Sequence, residues 1–235
     1  MKSDTAKVLH NLAGKSMIAH VLEKALKITN EQHIYVVIGH QADKVKDESS
    51  RLCEAHFAYQ KQLLGTGDAV KAAIPMLDPE IRDVLVLCGD VPLIKEQTLR
   101  ALVEAHKSGF SEITILATIM EEPKGYGRII CDEAGKLLCI REEADATSEE
   151  KKVRTVNTGI YCFNKTLLSH TLHEISPENS QGEYYLTDIV EIALKQNKKV
   201  SVITTKDTTQ FIGVNSIEDL QRAEKQYLNA ESSSH

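Results

Sequence analysis

Short runs of β-branched residues alternate with stretches of helical spacing, and that alternation narrows the chain to one class of fold. Val84-Leu85-Val86-Leu87-Cys88 is apolar throughout, without helical period, which predicts a strand buried on both faces. His33-Ile34-Tyr35-Val36-Val37-Ile38-Gly39 reads the same way, and His56-Phe57-Ala58-Tyr59 is a shorter strand. Met17, Ile18, Val21, Leu22, Ala25 and Leu26 recur at helical spacing behind Ser16, a good N-cap, predicting a helix to Ile28. Further helices are expected over residues 42–55, 68–76 and 96–107. Strands and helices at this interval predict an α/β, Rossmann-like, mostly parallel sheet with helices on both faces.

The second half is more mixed. Residues 112–120 read as a strand, and residues 125–131 and 136–140 as a hairpin around Glu133-Ala134-Gly135, the start of a small β-rich lobe. Residues 142–152 are charged and lack periodicity, so a mobile loop is expected there. Strands at 156–163 and 199–204, helices at 185–195 and 217–228, and a disordered tail at 229–235 complete the reading.

Composition removes several function classes. A chain of 235 residues with a formal net charge of -6 is not built around nucleic acid or an anionic membrane as its main partner. It has no apolar run long enough to span a bilayer, and no signal peptide is expected at its start. Cys53, Cys88, Cys131, Cys139 and Cys162 are odd in number and contain no C-x-x-C pair, which predicts reduced thiols, a cytoplasmic location and no zinc site. No nucleophile elbow, Walker loop or intact Gly-x-Gly-x-x-Gly is present.

Ligands of open α/β sheets sit beyond the carboxyl ends of the strands, and there Gly89-Asp90-Val91-Pro92 closes the 84–88 run. Asp90 is therefore a candidate for a ligand or a metal ion, or else a cap for the helix that begins near Lys95. Gly65-Thr66-Gly67 at a loop-to-helix junction offers main-chain N–H groups to an anion, or is simply a turn. Gln60 carries an amide able to read a pyrimidine edge, or is an ordinary surface residue. Lys7 is a phosphate ligand or a snorkelling lysine, and Asn215 a ligand or an N-cap.

Taken in order, Lys7-Val8-Leu9-His10, Leu12-Ala13-Gly14-Lys15, Gln60 with Leu64-Gly65-Thr66-Gly67, Gly89-Asp90-Val91-Pro92-Leu93, Gly125-Tyr126-Gly127-Arg128-Ile129, Asn157-Thr158-Gly159-Ile160, Gln181-Gly182-Glu183-Tyr184-Tyr185-Leu186-Thr187-Asp188 and Gly213-Val214-Asn215 form a longer signature. With it the chain resembles, from Met1 to Leu228, the uridylyltransferase domain of the bacterial N-acetylglucosamine-1-phosphate uridylyltransferases, a nucleotidyltransferase family. The resemblance implies transfer of a uridylyl group from UTP to N-acetylglucosamine-1-phosphate, giving UDP-N-acetylglucosamine and pyrophosphate. It implies nucleotide contacts from Lys7, Gln60, Gly65, Thr66 and Gly89, and sugar contacts from Gly127, Glu142, Asn157 and Thr187. Asp90 and Asn215 would hold Mg²⁺, and Lys7 and Asp90 would be the catalytic pair.

Two departures qualify these expectations. The family opens with a central strand and a loop of the form Gly-x-Gly-Thr-Arg-Met, whereas this chain begins at that Met, so its sheet is expected to leave apolar surface uncovered. Ala6 also replaces the usual proline. No hexapeptide repeat follows residue 228, so the left-handed β-helix acetyltransferase domain of many family members is not expected. Two other readings stay open: a binding protein for sugar nucleotides that lost turnover with the loop, and a sibling enzyme using another sugar phosphate or CTP.

Overall fold

The computed structural model describes residues 5–232. In chain order its elements are β1 (Asn11–Leu12), β2 (Lys15–Ser16), α1 (Met17–Ala25), β3 (Tyr35–Ile38), α2 (Ala42–Ser50), β4 (His56–Tyr59), α3 (Thr66–Ala73), β5 (Asp83–Val86), α4 (Glu96–Ser108) and β6 (Ile113–Ile119). There follow β7 (Arg128–Cys131), β8 (Leu137–Arg141), β9 (Thr155–Asn164), α5 (Lys165–Thr171), α6 (Asp188–Lys195), β10 (Val200–Thr205) and α7 (Ile217–Ser232). Among the described residues no helix is long and apolar enough to cross a membrane.

The long strand β9 organises the larger sheet. One edge of β9 pairs with β6, which pairs in turn with β10; the other edge carries β5 at one end and β7 with β8 at the other. β5, β6 and β10 run in one direction and β9 runs against them, while β3 and β4 form a separate parallel pair. Side chains alternate across the sheet as the pleat requires. Ile113, Ile115, Tyr161 and Phe163 face α5 and α6, whereas Leu116, Ile160 and Cys162 face Leu99 and Leu102 of α4. Helices thus cover both faces.

β9 is irregular near its middle. Ile115 pairs with Tyr161 and Ala117 with Asn157, so three residues of β9 oppose the single Leu116. The extra residues bend the strand, as bulges do beside functional sites. Thr158 secures the bend by donating from Oγ1 to the Leu116 carbonyl at 2.7 Å. Gly159 sits at the bend with φ +77°, and a Cβ there would meet the Cys88 sulfur at 2.8 Å.

β3 and β5 each pair on one edge only, among the described residues. Their other edges face a cavity of about 1180 Å³, walled by Ile18, Val21 and Leu22 of α1 and by Ala69, Val70 and Ala73 of α3. The cavity leaves apolar faces of both strands open. It also corrects the expectation that the 84–88 run is buried on both faces: Val84, Leu85 and Val86 are only half-buried, because one side of β5 has no neighbouring strand among the described residues.

Other boundaries differ from expectation for local reasons. α7 continues to Ser232, whose hydroxyl donates to the Leu228 carbonyl at 2.9 Å, so residues 229–232 are helical rather than disordered and residues 233–235 lie outside the described residues. α5 is an addition to the expected elements, and Asn164 caps it by accepting from the Leu167 N–H at 3.1 Å. The loop 142–152 is tied down: Glu143 pairs with Arg128 at 2.7 Å, and the Glu150 carboxylate accepts from the Thr147 N–H at 2.8 Å.

Candidate active site

Gly89 and Asp90 follow the carboxyl end of β5, and two distant segments converge on them. The Lys7 ammonium donates to Asp90 Oδ2 at 2.5 Å and to Asn215 Oδ1 at 2.8 Å. The main chain fixes the same meeting point, since the Val214 N–H donates to the Asp90 carbonyl at 3.0 Å. Asp90 is not a helix cap: α4 starts behind Lys95, and no side chain caps it. Nor is Asn215 the cap of α7, because Ser216 Oγ accepts from the Asp219 N–H at 3.0 Å while the Asp219 carboxylate accepts from the Asn215 and Ser216 N–H groups. That reciprocal cap leaves the Asn215 amide oxygen aimed at Lys7. One carboxylate and one amide oxygen converging on a single cation are hard donors of the kind a Mg²⁺ ion accepts when phosphates and water supply the rest. The donor set fits the ion.

The Gln60 and Gly-Thr-Gly segment is built differently from the simple reading. The Gln60 amide donates to the Gly65 carbonyl at 3.1 Å and to Asp68 at 2.9 Å, which rigidifies the turn ahead of α3. Gly65 has φ +105°, and a Cβ on it would lie 2.7 Å from the Tyr184 carbonyl oxygen. The Gly67 N–H donates to that same carbonyl at 2.8 Å, and Thr66 Oγ1 accepts from the Leu186 N–H at 3.1 Å. These glycines are therefore required by close packing against residues 183–186, and the Gly67 N–H faces a protein carbonyl rather than an open anion cradle. The turn joins Gln60 and Asp68 to the segment that carries Thr187.

On the opposite side, the bulge of β9 and the β7–β8 hairpin present the candidate sugar contacts. Thr187 Oγ1 donates to the Glu142 carboxylate at 3.0 Å. Burial raises the Glu142 carboxyl above the ordinary range, an effect the Thr187 bond opposes. A Cβ on Gly127 would lie 3.3 Å from Glu142 Oε2, so the missing side chain keeps that carboxylate accessible. The Asn157 N–H donates to the Gly127 carbonyl at 2.9 Å, its amide nitrogen donates to the Tyr161 hydroxyl at 2.6 Å, and its Oδ1 accepts from the Gly159 N–H at 3.2 Å.

Thr66, Gly89, Asp90, Gly127, Glu142, Asn157, Thr187 and Asn215 all line the one cavity that also opens between β3 and β5. Gln60, Gly65 and Lys7 are not among its lining residues; Gln60 bonds the Gly65 carbonyl, and Lys7 reaches the site through Asp90. Sequence reasoning missed three supporting side chains. Tyr126 lines the cavity and donates from its hydroxyl to the Phe211 carbonyl at 2.8 Å. Tyr161 sits beneath Asn157. Arg128 is buried, binds the Tyr126 carbonyl and Glu143, and so pins the turn that holds Gly127. An arginine beside the Gly-Tyr-Gly turn was the available signal.

Residues 2–229 match the nucleotidyl transferase family model. The chain belongs to this family. Among curated members it is 43% identical over 225 residues to the bifunctional protein GlmU of Heliobacterium modesticaldum, covering 95% of this chain and 48% of that one. With the bifunctional protein GlmU of Bacillus licheniformis it shares 40% identity over 232 residues, covering 97% of this chain and 50% of the relative. The chain thus spans about half the length of these relatives. The fold is also that of apo UDP-glucose pyrophosphorylase, with a TM-score of 0.75 at 16% identity over 96% of this chain and 91% of that one. CMP:2-keto-3-deoxy-manno-octonic acid synthetase complexed with CTP is similar at a TM-score of 0.69 and 16% identity, over 96% and 92% of the two chains.

Proposed function

We propose that this chain is a nucleotidyltransferase that makes UDP-N-acetylglucosamine and pyrophosphate from UTP and N-acetylglucosamine-1-phosphate. The observation that carries the reading is the convergence of Lys7, Asp90 and Asn215 at one end of a cavity whose nearby wall is Gly127, Glu142, Asn157 and Thr187. The GlmU relatives support that choice of substrates. A phosphate oxygen of the sugar phosphate bonds to the α-phosphorus of UTP, and the bond from that phosphorus to the bridging oxygen breaks, so pyrophosphate leaves with the electron pair. Such a step depends on positioning and charge neutralisation more than on a general base.

In this reading Lys7 neutralises phosphate charge as a point cation. Gln60 and the Gly65-Thr66 turn hold the uridine, and Glu142, Asn157, Gly127 and Thr187 hold the acetylated sugar. Asp90 and Asn215 would hold Mg²⁺, which when bound supplies Lewis-acid stabilisation of phosphoryl oxygens. Glu142 Oε2 lines the cavity beside Gly127, where the carboxylate can accept hydrogen bonds from sugar hydroxyls. A panel assay tests the assignment: pyrophosphate release with UTP or CTP, each against N-acetylglucosamine-1-phosphate or glucose-1-phosphate. UTP with the acetylated sugar should exceed every other pair by about tenfold or more, on the order expected when a polar contact goes unmade. Equal rates with CTP would redirect the assignment to a sibling specificity. Binding of UDP-N-acetylglucosamine without any pyrophosphate release would point to a binding protein.

A further inference from the structure

We infer that the Lys7 ammonium acts as a resident cation that seals the Asp90–Asn215 oxygen pair and must be displaced before a divalent ion can enter. This rests on the assignment of the oxygen pair to a metal ion and goes beyond it. Both oxygens lie within 2.8 Å of the same nitrogen, so the ammonium stands at the point where their donor directions meet. An incoming ion faces both an occupied position and a like charge. The pair is half-sheltered, with the Asp90 side chain 25% and the Lys7 side chain 38% exposed, so solvent screens that repulsion only in part.

The lysine moves by its side chain, not its backbone. Lys7–Leu9 form a 3-10 turn held by the Leu9 N–H donating to the Ala6 carbonyl at 2.9 Å, and the Ala6 N–H donates to Gln41 Oε1 at 3.0 Å. Buried Ala6 and partly buried Val8 anchor the turn in the cluster between α1 and β3. The displaced ammonium therefore remains tethered beside the site, where an anionic ligand can take it up. A metal ion alone accordingly binds poorly, and an anion able to accept the ammonium makes metal entry easier.

Manganese(II) alone is the probe, with bound ion read by electron paramagnetic resonance across a titration. Lys7→Met, which keeps much of the volume without the charge, should bind Mn²⁺ at least tenfold tighter than the unaltered chain. Lys7→Arg should not, and adding Asp90→Asn to Lys7→Met should remove the gain. Thermal melting checks that each variant is folded, and Lys7→Ala provides a second neutral variant. If Lys7→Met and Lys7→Ala bind Mn²⁺ within twofold of the unaltered chain while Asp90→Asn abolishes binding, the metal site stands and the seal does not exist. If no variant binds Mn²⁺ at all, the seal and the metal reading fall together.

Discussion

β5 and β6 are built from the same kind of residues, yet six of the seven residues of β6 are buried and none of the four in β5 is. The difference lies in their neighbours. β6 has β10 on one edge and β9 on the other, whereas among the described residues β5 has only β9 and opens on its far side into the cavity. Burial of an apolar run is thus a property of the strands beside it rather than of the run itself. The β6–β9 region concentrates packing, with Ile113, Ile115 and Phe163 fully enclosed. The β5 region is looser, and its carboxyl end delivers Asp90 to Lys7 and Asn215.

Mutations can break that comparison. Ile115→Ala in β6 should cost about 2–5 kcal/mol in urea unfolding, because a closed core leaves the deleted methyl groups as a cavity. Leu85→Ala in β5, beside space already open, should cost less than half as much. Equal costs would show that β5 is packed as tightly as β6. Gly65→Ala ranks next. Its φ of +105° and the Tyr184 carbonyl 2.7 Å from the added Cβ should make it destabilising by about 1–3 kcal/mol, and its cost should shrink if residues 183–186 are free to retreat.

The smallest effect concerns Glu142, whose carboxyl is raised by burial. A raised folded-state pKa means that the folded chain binds more protons than the unfolded chain, so stability falls as pH rises through the range between the two values. Glu142→Gln keeps an oxygen for Thr187 and removes the buried charge. It should therefore gain up to about 1 kcal/mol at pH 7, a gain that fades below about pH 4, while sugar-phosphate turnover declines. Parallel melts at the two pH values read it directly, and an equal effect at both would assign the change to packing.

Much of this arrangement is legible in the sequence, and most of the exceptions share a cause. β4 is readable to the residue, because Phe57 and Tyr59 are strand-favouring aromatics in a short run, His56-Phe57-Ala58-Tyr59. The position of Asp90 follows from the Gly-Asp-Val-Pro stop after an apolar run. Local pattern cannot reveal partners far along the chain: Lys7 meets Asp90 across 83 positions and Asn215 across 208. The same holds for the Gly-Thr-Gly turn, whose glycines pack against Tyr184, more than a hundred positions along the chain. α5 escapes a sequence reading for another reason. Its seven residues are too few to display a helical period clearly, and only the Asn164 cap betrays it.

The most direct test is pyrophosphate release from UTP and N-acetylglucosamine-1-phosphate with Mg²⁺, comparing the chain with Asp90→Asn. Turnover by the chain and a fall of at least about a hundredfold in the variant, at an unchanged melting temperature, is the predicted result for a group that organises transition-state charge. Equal turnover in the two proteins would contradict the account, for it would place the chemistry somewhere other than where Lys7, Asp90 and Asn215 meet.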